Sequence, residues 1–206
     1  RELVLRHYFR GGLISRLVKD KYFFSHFDNC RATREFNLLR KLNELNLPVP
    51  KPIAYRVTRD TFTYRADILL ERIVDAKTLA NLLCEQEIGD ELWLNIGQTI
   101  AKFHEHNICH SDLNAHNILI QNTPNQSDLS QGRQVNGKQT ANGELYEGQK
   151  VWLIDFDRSK EILQHERWKQ ANLKRLLRSL KKESRRMPNF HWKQEFWQLF
   201  MQGYHG

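Results

Sequence analysis

Apolar positions along the chain change period several times, and each change marks an element. Val4, Arg6 and Tyr8 alternate with Leu3, Leu5 and His7, which predicts a strand from Glu2 to Phe9. From Arg31 to Leu47 the spacing lengthens. Phe36, Leu39 and Leu42, joined by Leu38 and Leu45, form the stripe of an amphipathic helix. Pro48-Val49-Pro50-Lys51-Pro52 stops it, because proline lacks an N–H and disfavours helical geometry in the residue before it. Alternation returns at Ile53 to Val57 and Thr63 to Leu70, a hairpin whose turn is expected at Arg59-Asp60. Helices are predicted at Thr78 to Cys84 and at Asp90 to His106. The second is expected to be capped by Asp90, with Trp93, Ile96, Ile100 and Phe103 on one face.

Ile118-Leu119-Ile120 and Val151-Trp152-Leu153-Ile154 read as short apolar strands. Between them, Gln121 to Lys150 is rich in Asn, Gln, Gly and Ser and reads as a polar insertion without chemistry of its own. Beyond Asp157 the chain turns basic and helical. Trp168, Leu173, Leu176, Leu177 and Leu180 supply apolar positions, and Lys174, Arg175, Arg178, Lys181, Lys182, Arg185 and Arg186 a positive face ending at Pro188. Phe190, Trp192, Phe196, Trp197, Leu199 and Phe200 are expected in a final aromatic helix over the core.

Bulk properties narrow the partners. The 206 residues, 40% of them hydrophobic, suffice for one domain or two small lobes sharing a cleft. The net charge of +8 favours an anionic partner such as a nucleotide or an acidic membrane surface. Cys30, Cys84 and Cys109 are scattered and odd in number, which argues against a zinc site or a disulfide framework and fits a reducing compartment. No apolar run approaches the ~20 residues of a membrane span. Arg1 falls inside a predicted strand with no initiator Met, so a preceding segment is expected.

The chemistry concentrates in His110-Ser111-Asp112-Leu113-Asn114-Ala115-His116-Asn117 and, downstream, Asp155-Phe156-Asp157. An Asp, a Leu next to it, an Asn five positions on, an apolar strand, and a second strand ending in Asp-Phe form the constellation of a phosphotransferase. Asp112 would orient the attacking hydroxyl. Asn117 and Asp155 offer hard oxygen ligands suited to Mg²⁺. An isolated Asp and Asn at this spacing is more often a turn; the combined pattern is what carries weight. His110 is expected to pack beneath the loop and bond its backbone, and His116 to shape the loop and not to act as base.

Other features are weaker. Glu35 lies beside the inward face of its helix, where a carboxylate needs a cation, and Arg6 is the candidate. Taken alone, an exposed first-turn acid favoured by the helix dipole is the simpler reading. Gly11-Gly12 matches no phosphate-loop spacing and reads as a turn. Ser15 to Phe27 sets Arg16, Lys19 and Lys21 beside Tyr22, Phe23, Phe24 and Phe27, which reads as packing with a wet basic face, a membrane-contact surface being the sharper alternative.

The pattern resembles the protein-kinase-like superfamily, with its His-Arg-Asp-Leu-x-x-x-Asn catalytic loop and Asp-Phe-Gly metal motif. The resemblance implies an α+β, two-lobed kinase-like fold. Its N-lobe (1–74), incomplete at its start, would lack the Gly-rich loop, and its C-lobe (75–206) would be mainly helical. It further implies Arg6 at the phosphate-binding position, Glu35 as its helix partner, and Glu71 to Ile73, with Glu71 and Ile73 at its ends, as the hinge that bonds adenine. Ser111 replaces the Arg that reads an activation-loop phosphate, and Asp157 replaces the Gly. Arg158-Ser159-Lys160 heads towards a helix without Ala-Pro-Glu, so a peptide platform is not expected.

Leu5-Arg6-His7-Tyr8 with Arg10-Gly11-Gly12, the loop from His110 to Asn117, and Asp155-Phe156-Asp157-Arg158 are similar to the bacterial 3-deoxy-D-manno-octulosonic acid (Kdo) kinase family. That similarity implies ATP-dependent, Mg²⁺-supported phosphorylation of the 4-hydroxyl of Kdo on a lipid A precursor, peripherally at the cytoplasmic face of the inner membrane. No nucleic-acid partner is expected. An aminoglycoside-type phosphotransferase is the alternative enzyme, disfavoured by the basic chain, and a membrane-binding pseudokinase the non-enzyme alternative, disfavoured by the intact Asp112, Asn117 and Asp155.

Overall fold

The computed structural model describes residues 1–9, 20–122, 148–163 and 166–206. Gly11-Gly12, Arg16, Lys19 and positions 123–147 of the polar insertion lie outside the described residues. The chain opens with an antiparallel sheet. Strand β1 (Leu3–His7) and β3 (Pro52–Asp60) flank β4 (Thr63–Glu71), and the two-residue β2 (Tyr22–Phe23) also pairs with β4. The β3–β4 turn falls at Thr61-Phe62, not at Arg59-Asp60, which stay in the ladder. Thr61 takes the left-handed φ of 45° that closes the turn.

Helix α1 (Arg31–Glu44) packs on β3 and β4. Its predicted stripe is the buried one: Leu39 and Leu42 are fully enclosed, with Phe36, Leu38 and Leu45 at the margin. It ends three residues before Leu47, because Asn46 turns left-handed (φ 56°) and the Leu47 N–H returns to the Leu42 carbonyl.

The second half is mainly helical. A short strand β5 (Ala76–Thr78) leads into α2 (Leu79–Glu85), where the Thr78 hydroxyl accepts from the Asn81 N–H at 3.1 Å. Helix α3 (Asp90–Glu105) follows. Its N-cap is Gly89; Asp90 is the first helical residue, where its charge favours the dipole without a capping bond. A three-stranded sheet joins β5, β7 (Ile118–Asn122) and β8 (Gln149–Leu153). Gln121 pairs with Lys150 and Asn122 with Gln149, so both margins of the expected insertion belong to this ladder. A two-residue β6 (Ile108–Cys109) pairs with β9 (Lys160–Glu161), and the long α4 (Arg167–Arg186) follows.

The last helix, α5 (Gln194–His205), begins after Phe190 and Trp192, which precede it as an irregular lead-in. It lies directly on α3. A Cβ on Gly97 would stand 2.1 Å from the Phe200 carbonyl oxygen, and one on Gly203 2.1 Å from that of Leu94, so only glycine admits this approach. Trp93 stacks on Phe196 (centroids 5.6 Å apart) beside the contact. No helix among the described residues is long and apolar enough to cross a membrane.

Candidate active site

The loop between β6 and β7 is held from below by His110. Its Nε2 donates to the Ile154 carbonyl (2.9 Å), and its Nδ1 accepts the Asp112 N–H (3.2 Å). Only a neutral ring does both. Burial pushes the imidazole pKa down and keeps it neutral. The Phe156 ring, fully buried, meets His110 edge-on at 4.8 Å and Phe103 at 5.8 Å, which anchors the turn carrying Asp155 to the helical core. Asn172 of α4 donates to the His110 carbonyl at 2.6 Å, and Ser179 accepts the Ala115 N–H at 3.2 Å. One catalytic-type loop is thus pinned by two elements distant in sequence.

Within the loop, Asn114 Oδ1 accepts the N–H groups of His116 and Asn117 (2.8 and 3.2 Å), a local turn that brings Asn117 back over Asp112. The Asn117 Nδ2 donates to the Asp112 carbonyl at 2.9 Å. With its nitrogen so engaged, the amide turns its oxygen outward. The Asp112 carboxylate is 58% exposed, with Arg175 of α4 at 3.6 Å. His116 faces the buried Glu183 at 3.6 Å, away from the role of a base.

Asp155 adopts φ 63°, a left-handed conformation that Asp tolerates better than most residues. Its Oδ1 accepts from Arg6 Nη1 at 2.7 Å. Arg6 also pairs with Glu35 of α1, whose Oε2 takes the Tyr8 hydroxyl at 2.6 Å. Glu35 is 2% exposed, so the simpler reading of an exposed first-turn acid is overturned: the Arg6 and Tyr8 side chains of the first strand reach its carboxylate where α1 packs on the sheet. Burial raises the Glu35 pKa, and Arg6 and Tyr8 oppose that rise.

Arg6, Asn117 and Asp155 line one cavity of about 870 Å³, together with Val4, Leu70, Leu119 and the segment Glu71-Arg72-Ile73. Asp112 does not line it but stands next to it through Asn117. The Glu71 side chain leaves for Arg1 (2.7 Å), and the Arg72 N–H is taken by the Glu2 carbonyl. Among the described residues the Ile73 N–H has no hydrogen-bond acceptor. Hydrophobic walls with few convergent polar groups are the ordinary constitution of a small-molecule site. No group of three or more His, Cys, Asp or Glu suited to a metal exists among the described residues. The remaining donor set, one amide oxygen and one carboxylate, fits Mg²⁺, which retains waters and phosphate oxygens as its other ligands.

Sequence reasoning passed over a second ion pair. Arg31, the first residue of α1, pairs with Asp157 and donates to the Tyr22 hydroxyl at 2.5 Å. The signal was present, since a carboxylate in place of a flexible glycine calls for a cation. The Ser111 hydroxyl donates to the Asp157 carbonyl at 2.5 Å, and its N–H to the Ser159 hydroxyl at 3.0 Å. From there β9 returns to pair with β6.

The 3-deoxy-D-manno-octulosonic acid kinase of Haemophilus influenzae is 43% identical over 98% of this chain and 74% of its own length. Those of Actinobacillus succinogenes and Vibrio parahaemolyticus are 39% and 40% identical over 97% and 94% of the chain, and 74% and 70% of their own. A solved structure described as WaaP in complex with acyl carrier protein superposes with a TM-score of 0.57 at 15% identity, covering 84% of this chain and 66% of that one. That likeness shows the fold, an α+β kinase-like one. The model of the lipopolysaccharide kinase (Kdo/WaaP) family matches residues 1–204, and this chain belongs to that family.

Proposed function

We propose that the protein transfers the γ-phosphoryl group of ATP to the 4-hydroxyl of Kdo on a lipid A precursor, in lipopolysaccharide core synthesis. The observation that carries the reading is the meeting of Arg6, Asn117 and Asp155 on one cavity, with the Asp112 carboxylate beside it. The relatives' names, which give 3-deoxy-D-manno-octulosonic acid as what they phosphorylate, support the sugar acid as acceptor.

In this reading the hinge Glu71-Arg72-Ile73 divides an N-lobe (1–74) from a C-lobe (75–206). The Ile73 N–H, without an acceptor among the described residues, takes a ring nitrogen of adenine between Val4, Leu70 and Leu119. Arg6, oriented by Glu35, holds phosphate oxygens with a planar fork where a lysine would present a point charge. Asn117 Oδ1 and Asp155 hold Mg²⁺, which neutralises charge on the phosphates when bound. Asp112 accepts a hydrogen bond from the acceptor hydroxyl and takes its proton as the O–P bond forms and the bond to the β-phosphate oxygen breaks. The protein supplies position and charge, which is most of what phosphoryl transfer needs. The +8 net charge supports attachment to the anionic cytoplasmic surface of the inner membrane.

The test offers labelled ATP and Mg²⁺ with a Kdo-bearing lipid A precursor, an aminoglycoside and a generic protein. Label on the Kdo 4-hydroxyl is expected. Label only on the drug or the protein rejects the acceptor, and a folded but silent full-length sample rejects the enzyme.

A further inference from the structure

One charged surface meets the site described so far at a single residue, Arg175, and continues away from it. Helix α4 touches the catalytic loop along a single face: Asn172 bonds the His110 carbonyl, Ser179 the Ala115 N–H, and Glu183 faces His116. At 100° per residue, Arg175, Lys182 and Arg186 fall in one stripe at the rim of that face, spaced i, i+7 and i+11. Arg175 reaches to 3.6 Å from Asp112 Oδ1, which fixes the near end of the stripe at the attacking group. From there it runs about 16 Å along the helix. Lys182 is exposed and has no carboxylate within 4 Å among the described residues, and Arg186 makes only a long pair with Glu183 at 3.7 Å. A cation beside Asp112 is not needed to orient a neutral hydroxyl. It is needed if the acceptor brings negative charge to that place.

We infer that Arg175, Lys182 and Arg186 form the acceptor-binding track, recognising a sugar acid whose carboxylate lies close to the reacting hydroxyl and which carries further phosphate. The inference rests on the function proposed above and deepens it. In Kdo the carboxylate is attached two ring carbons from the 4-hydroxyl, so a hydroxyl held at Asp112 sets the carboxylate within reach of Arg175. A guanidinium fork pairs with a carboxylate through two parallel bonds, which fixes the ring's orientation as well as its charge. Lys182 and Arg186 then meet phosphates further along the lipid headgroup. The track also bears on acceptor choice: a cation at Asp112, with two more further along the same stripe, repels a cationic drug.

Two paired variants test this in the full-length protein, with a detergent-dispersed Kdo lipid so that no bilayer contributes. Arg175→Ser with Lys182→Ser removes two charges from the stripe. Lys174→Ser with Lys181→Ser removes two charges with the same spacing from a strip rotated by 100° on the same helix. The first pair is expected to raise the acceptor KM at least tenfold with the ATP KM within twofold of wild type, and the second to leave both within twofold. Arg175→Lys, which keeps the charge and loses the fork, should fall between. Equal effects of the two pairs, or an ATP KM that rises with the acceptor KM, overturn the track. Unaltered acceptor KM in an active enzyme overturns it while leaving the proposed function standing. A wild-type protein inactive on the lipid removes both.

Discussion

Arg6 and Asp155, 149 residues apart, are joined by a 2.7 Å hydrogen bond between Nη1 and Oδ1. The same guanidinium holds Glu35, so β1, α1 and the turn after β8 converge on one side chain. Arg6 is 28% exposed and Glu35 1% at the side chain, which makes the carboxylate the member that cannot be left alone. Breaking a buried pair typically costs about 3–5 kcal/mol, less where one partner is wet. Glu35→Gln is therefore expected to lower stability by about 2 kcal/mol and to raise the KM for ATP, both read from urea denaturation and steady-state kinetics. An unchanged KM for ATP removes Glu35 from the support of Arg6.

Asp112 should separate chemistry from folding. Its side chain is 58% exposed and its loop is held through backbone groups. Asp112→Ala is expected to lower kcat about 10³-fold or more, with an unaltered circular dichroism spectrum and unfolding midpoint. Near-normal turnover takes the proton-accepting role away from it.

The α3–α5 contact predicts a severe effect from a single methyl group. Gly203→Ala would force a Cβ against the Leu94 backbone, which cannot yield as a flexible side chain does. A loss above about 3 kcal/mol is expected, visible as a large fall in Tm or an insoluble product. Gln202→Ala, exposed on the same helix, should change stability by less than about 0.5 kcal/mol.

A pH dependence follows from His104, enclosed by α3, α4 and α5. Its Nδ1 faces the Tyr204 hydroxyl at 2.8 Å and its Nε2 the Asn172 side-chain oxygen at 3.3 Å. Burial pushes its pKa from 6.5 down to about 4, against the opposing bond from Asn172. Between those values the unfolded chain binds the proton and the folded one does not. Stability is thus complete above pH ~6.5 and declines towards pH 4, by about 3 kcal/mol for this ring. His110 is shifted in the same direction and adds to the slope. Urea midpoints at successive pH values measure the decline, and His104→Gln should flatten it; a slope unaffected by that change assigns the acid sensitivity elsewhere.

Much of the local structure was legible because it depends on near neighbours. The stripe of Leu39 and Leu42, the alternation of β1 and the stop at Pro48 are properties of the chain's own periodicity. Element ends were less legible. The turn moved to Thr61-Phe62, α1 ended before Leu47, and Gly89 replaced Asp90 as cap, because competing local hydrogen bonds differ there by little.

By itself, then, the sequence determined which groups were available: an Asp, an Asn and a second Asp at phosphotransferase spacing, an arginine on the first strand, and a basic helix near the end. Only the tertiary structure decided that Glu35 is buried, that Arg31 answers Asp157, and that Arg175, among the cations of α4, stands beside Asp112. The physical reason is that burial and ion pairing are set by what packs across from a residue. Those partners here lie tens to more than a hundred positions away, beyond the reach of any local pattern.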